Sequence, residues 1–207
     1  MKFIFFIINL LSIFVISEQC KNVNTQNNFN ITEYLNGKWY IQMQQVTNYL
    51  PIEDNYCVTA EYNLSNKKVP FYNGKVISVY NYANKDMVNG ENVNKNKNIL
   101  CARIPNNNIK SKLLVAPCFL PNLFAGDYWV IAAGPNSTKY EWAIVSGGQP
   151  NIQYNDGCTT NNTGFWFFTR DQVASNNLIN KLKSISIKNG FSIRKLNNVT
   201  QKGCKYN

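Results

Sequence analysis

Six cysteines and no histidine set the limits on what chemistry this chain can do. Without an imidazole, no serine or cysteine can be activated by a neighbouring histidine, and no histidine-ligated metal site can form. A glycine-rich phosphate loop is also missing. A cysteine thiolate could act without histidine. Cys57, however, stands at an outward position of an alternating strand, and the other five lie at strand ends or in tails, where bridging in pairs is expected. Glu61 and Glu141 fall on outward strand faces as well. These residues point away from an enzyme, a resident metal or another cofactor, and toward binding.

Charge narrows the choice of partner. The chain carries 21 basic residues and a net charge of +10, but they are scattered, and the densest group, "NKNKN" at 94–98, lies in an asparagine-rich loop. Nucleic-acid binders gather such residues on one face, so a nucleic-acid partner is not expected.

The N-terminus "MKFIFFIINLLSIFVISEQC" has one lysine, an apolar run and a small residue at Ser17. This is the pattern of a secretory signal peptide over 1–17. The run stops short of the roughly 20 apolar residues that span a bilayer, and no later segment reaches that length, so stable membrane insertion is not expected. The mature chain should be exported as an extended segment, 18–34, followed by one domain, 35–207. In an exported chain an even cysteine count argues for disulfides, although six cysteines allow fifteen pairings. Asn30, Asn63, Asn136, Asn161 and Asn198 open glycosylation triplets; asparagine is so abundant that composition alone supplies most of them.

Strand patterns follow one another at 38–47, 55–65, 75–83, 98–104, 112–118, 127–133, 140–146 and 164–170, separated by turn-forming residues. The segment "YCVTAEYNL" alternates cleanly, with Tyr56, Val58, Ala60, Tyr62 and Leu64 on one face. In "YWVIAA" both faces are apolar, with Tyr128, Val130 and Ala132 on one and Trp129, Ile131 and Ala133 on the other, so something must cover the outer one. The cover is a helix after the eighth strand, where Ala174, Leu178, Leu182 and Ile185 form one stripe, with Asp171 as N-cap and Gly190 as stop. One helix cannot cover both faces of eight strands. The sheet must therefore close on itself, which gives an all-β fold, an eight-stranded antiparallel up-and-down barrel with one C-terminal helix packed outside.

With Gly37-x-Trp39-Tyr40 opening the first strand, "DNYCVTAEYNL" the second, "YWVIA" the sixth, and "FWFFTR" followed by a helix ending in "NGF", the chain resembles the lipocalins, and most closely their apolipoprotein D and bacterial branch. The resemblance runs from Gly37 to Cys204. It implies that Gly37 turns the chain into the barrel floor, that Trp39 plugs the floor, and that Arg170 stacks on the indole. It also implies the bridges Cys57 to Cys204 and Cys20 to Cys158, leaving Cys101 and Cys118 to meet across a hairpin. One piece departs from the pattern: Ala133-Gly134-Pro135 stands where the family carries a Thr-Asp stretch, so the closed-end turn should be built differently.

If alternation holds, the cavity wall is Met43, Val58, Ala60, Tyr62, Ser78, Tyr80, Tyr128, Val130, Trp166 and Phe168, with Trp129 and Trp142 outside beneath the helix. The resemblance then implies a carrier of one small hydrophobic ligand of the lipid, sterol, retinoid or tetrapyrrole class. Two alternatives stand beside it: a filled barrel whose open-end loops meet a cell-surface partner, and a lipid-modifying enzyme.

Overall fold

The computed structural model describes residues 19–206, and the signal segment 1–17 lies outside them. Strands β1 (Lys38–Gln45), β2 (Tyr56–Ser65), β3 (Val76–Asn84), β4 (Ile99–Arg103), β5 (Lys112–Pro117), β6 (Gly126–Asn136) and β7 (Lys139–Ser146) each pair antiparallel with the next. A small hairpin, β8 (Ile152–Tyr154) with β9 (Gly157–Thr159), stands apart. Strand β10 (Phe165–Thr169) then pairs with both β7 and β1, and that second pairing closes an eight-stranded barrel. The short helix α1 (Ile31–Leu35) precedes β1, and α2 (Asn176–Lys188) and β11 (Leu196–Asn198) follow β10. Neither the β8–β9 hairpin nor β11 shows in the sequence pattern, because three residues are too few to reveal a period.

Two apolar clusters divide the protein as the double-faced strands require. One fills the barrel interior and includes Trp39, Ile41, Val58, Ala60, Tyr62, Ile77, Val130, Val145 and Phe168. The other lies outside the wall under α2, where Trp142, Ile144, Phe167 and Leu182 are buried with Trp129, Leu178, Ile179 and Ile185 at their edge. A 13-residue helix is marginal in water by itself, and this outer cluster holds it in place.

The N-cap of α2 is Ser175, whose hydroxyl accepts from Leu178 N at 3.2 Å, and not Asp171 as the pattern suggests. The residues between are held by Gln42. Its Nε2 donates to the carbonyls of Asp171 and Gln172, and its Oε1 accepts from Ala174 N. The helix can start only after that tether. Gly190, with φ +86°, follows the C-cap Asn189 and ends the helix.

Beyond α2 the chain returns into the barrel wall. Strand β2 pairs with β1 only at Lys38, Trp39 and Tyr40; farther along, β11 takes its place against Met43, Gln44 and Gln45. Gln201, 3% exposed, spans the resulting gap, with Nε2 donating to Ile41 O and Val58 O at 2.7 Å each. Cys57–Cys204 pins this segment, Cys20–Cys158 ties the N-terminal arm to β9, and Cys101–Cys118 links the middle of β4 to the residue after β5. The first two enclose 147 and 138 residues of separation, for which the chain-entropy account gives the larger stabilisation, on the order of 4 kcal/mol each.

Replacing Gln201 with alanine leaves two strand carbonyls buried without a donor. Urea unfolding of Gln201→Ala should show a loss of roughly 1 to 3 kcal/mol, and hydrogen exchange should show faster opening at β1 and β11 than at β6 and β7.

Candidate ligand-binding site

One end of the barrel is sealed. Gly37 has φ +82°, a conformation that favours glycine, and it swings the chain from α1 into β1. Trp39 lands on the axis with no exposure and donates Nε1–H to Tyr34 O at 2.9 Å. The Arg170 guanidinium covers the outer side of the indole, its carbon 3.5 Å from the ring centroid. Its nitrogens donate to the carbonyls of Glu33, Tyr34, Lys38 and Tyr140 at 3.1 to 3.3 Å. Burial lowers the proton affinity of this group, but an arginine remains charged throughout the working pH range.

At the neighbouring turn, Gly134 pairs with Trp142, whose indole would stand 2.4 Å from any Cβ placed there. Asn136 builds the turn by accepting from Thr138 N, the Thr138 hydroxyl and Lys139 N on its Oδ1. This is how the closed end forms without the Thr-Asp stretch.

Above the plug three phenols meet. The hydroxyls of Tyr34 and Tyr62 each hydrogen-bond that of Tyr128, at 2.5 and 2.7 Å. Farther up, the wall retains accessible surface. Leu100, Val115, Tyr128 and Trp166 belong to the interior cluster yet are only partly buried. Asn81, which pairs with the inward Ala60 and therefore shares its face, is exposed. At the open end Tyr49, Ile52, Met87, Phe119, Leu123 and Phe124 are exposed on the rim loops.

No family model and no curated protein sequence matches the chain. Solved structures do match over nearly its whole length. The cockroach allergen Per a 4 superposes with TM-score 0.53 at 13% identity, covering 89% of this chain and 96% of that one. Insecticyanin from the tobacco hornworm Manduca sexta gives 0.53 at 16%, covering 90% and 89%. The tryptamine complex of the amine-binding protein of Rhodnius prolixus gives 0.52 at 13%, covering 92% and 91%. The chain has the lipocalin fold. At these identities the likeness is one of fold alone.

Within this lipocalin fold the structure turns Val58, Ala60, Tyr62, Tyr128, Val130, Trp166 and Phe168 inward, and turns three other expected wall residues outward. Met43 packs under α2 with Trp142 and Phe167 because β1 bulges between Ile41 and Met43 and so reverses the faces beyond. Gln44 takes the inward place opposite Trp166, with Nε2 donating to Asn55 Oδ1 at 2.7 Å. Ser78 and Tyr80 also face outward, since Ile77 and Val79 are the interior residues of β3. Ser78 donates to Asn63 O, and Tyr80 borders a surface groove with Tyr82 and Tyr206. A second bulge, in β6 after Val130, likewise puts Ala133 inside and Ala132 outside.

Sequence reasoning missed Tyr34, Gln44, Asn81 and Val199, which comes inward from beyond β11. It also passed over Ile41, and alternation could have found both Ile41, counted from Trp39, and Asn81, counted from Ile77. The five glycosylation asparagines are all exposed, and Asn30 also caps α1 by accepting from Glu33 N. No cluster of metal-ligating side chains forms among the described residues.

Burial holds the phenols of Tyr34, Tyr62 and Tyr128 well above the usual tyrosine range. The folded protein therefore keeps protons that the unfolded chain releases near pH 10. Their contribution to stability is intact below that pH and is lost as pH rises through the folded values. In an alkaline titration, the last part of the phenolate absorbance should appear together with loss of near-UV circular dichroism.

Proposed function

We propose that this protein is a secreted carrier that holds one small hydrophobic ligand in its barrel. The observation that carries the reading is the contrast between the two ends. Trp39, Arg170 and α1 seal one, while inward residues near the other keep accessible surface beneath an apolar rim. An apolar, aromatic wall with few polar groups is what small-molecule sites require. The ligand wall on this reading is Ile41, Val58, Ala60, Tyr62, Val130, Trp166 and Phe168, with Tyr128 and Asn81 as its polar points.

The Rhodnius neighbour binds tryptamine, which supports a binding role for the fold. Export is supported by the N-terminal pattern and by the pairing of all six cysteines, and the exposed asparagine triplets are the proposed glycan sites. The placing of Cys57 and Cys204 suits the apolipoprotein D and bacterial branch. No described helix is long and apolar enough to cross a membrane. The exposed Phe119, Leu123 and Phe124 favour a second role for the rim, as the surface that meets a cell-surface partner.

Native mass spectrometry of the protein from the medium of secreting cells, followed by organic extraction, should release a defined apolar compound near one per barrel. An empty barrel that also ignores lipids, sterols, retinoids and tetrapyrroles would overturn the carrier reading. Trp166→Ala should weaken apolar-probe binding while the fold persists. Trp39→Ala should instead cost about 3 to 5 kcal/mol of stability, with probe affinity per folded molecule unchanged.

A further inference from the structure

Three large apolar side chains, Phe119, Leu123 and Phe124, stand exposed in the connection between β5 and β6, and a fourth, Phe71, is 99% exposed in the connection between β2 and β3. The two connections lie on one side of the molecule. Val69 and Tyr72, close to Phe71, pack with Cys118, next to Phe119, against Val76 and Cys101. Val76 and Cys101 face outward, since their neighbours Ile77 and Ala102 are interior. Both loops are therefore folded onto the outer face of β3 and β4.

Each loop is fixed there. The Cys101–Cys118 bridge and the Arg103 guanidinium, which donates to Leu120 O at 2.6 Å, hold the second. The Tyr72 hydroxyl holds the first, accepting from Ile104 N at 3.1 Å and donating to Ile104 O at 3.0 Å. Phe71 itself has φ +59°, a conformation that bulky residues rarely adopt, and its ring adds nothing to the core.

Charge on this side is of one sign. Lys67, Lys68 and Lys75 are exposed, and neither they nor the buried Arg103 form an ion pair among the described residues. Between Glu61 and Asp127 the only acids are Asp86 and Glu91, both in the connection from β3 to β4, and Glu91 is paired with Lys95. Asp127, at the start of β6, is turned toward Gly148, where a Cβ would stand 2.7 Å from its carboxylate. Exposed apolar groups beside unpaired cations match a partner that is both oily and negative. A nucleic-acid strand supplies the charge but nothing to bury Leu123, whereas a bilayer with anionic headgroups supplies both.

We infer that this outer face is a docking surface for anionic lipid membranes, with Phe71, Phe119, Leu123 and Phe124 entering the headgroup layer and Lys67, Lys68 and Lys75 meeting its negative groups. Attachment of this kind is reversible and needs no spanning segment. The inference rests on the reading of the exposed rim as the surface that meets a cell, gives that partner a chemistry, and is independent of the carrier reading.

Cosedimentation with vesicles tests it, one set of phosphatidylcholine and the other an equal mixture of phosphatidylcholine and phosphatidylserine. Wild-type protein should bind the mixed vesicles, leave them as salt rises, and bind phosphatidylcholine far more weakly. Phe71→Asn, which suits a left-handed backbone, should weaken binding about tenfold. Lys67→Gln and Lys68→Gln should each weaken it about fivefold. Ile187→Gln, exposed on α2 away from these loops, should change nothing. Circular dichroism confirms that each variant folds. No binding to the mixed vesicles, equal binding to both kinds, or binding indifferent to the Phe71 and lysine changes would overturn the docking surface and leave a cell-surface protein as the partner of the rim. Extraction of the barrel's contents decides the carrier reading separately.

Discussion

The contact between Arg170 and Trp39 gives the barrel its bottom, and the rest of the molecule is arranged around it. The guanidinium gathers carbonyls from α1 and the start of β1, which are neighbours in sequence, and from β7, which lies far along the chain. A flat, weakly hydrated cation suits this place, because it can lie on the indole while its edge donors reach the main chain. Tyr34 O accepts from both Trp39 and Arg170, so one carbonyl joins the plug to its cover.

A closed barrel of alternating strands must also bend, and here the bending occurs at bulges in β1 and β6. Each reverses the inward and outward sides beyond it. In β1 the reversal sends Met43 to support α2 and brings Gln44 inside; in β6 it exchanges Ala132 for Ala133. Strand β1 also parts from β2 above Tyr40, and the C-terminal chain fills the opening with β11 and the Gln201 amide. The Cys57–Cys204 bridge thus anchors a piece of the wall itself.

The interior chemistry follows from these placements. The phenols stack above the plug as Tyr34 from α1, Tyr62 from β2 and Tyr128 from β6. Burial raises their proton affinity above that of an ordinary tyrosine. The acids lie elsewhere: Glu33 accepts from Tyr140 N beneath the floor, Glu61 pairs with Lys38 on the outer wall, and Glu53, Asp54, Asp86 and Glu91 lie in loops at the rim. Among the described residues the one fully buried cation, Arg103, lies on the outer face of β4, where it donates to Leu120 O and Pro117 O, and the barrel interior is left to apolar contact and a few hydrogen bonds.

The sequence by itself determined the number of barrel strands, their order and the outer helix, while the residues of the plug followed from its resemblance to the lipocalins. The strands and helix depend on periods of two and 3.6 and on residue types that few other environments accept, such as the inward Tyr62 of β2 and the double-faced "YWVIAA". It also determined, by the lack of histidine, which chemistry the chain cannot perform. Only the tertiary structure decided which wall residues face the ligand beyond a bulge, because one inserted residue changes the parity without changing the apolar pattern. Only it brought Tyr34, Tyr62 and Tyr128 within hydrogen-bonding distance, since their meeting depends on barrel closure between residues up to 94 apart, which no local pattern records.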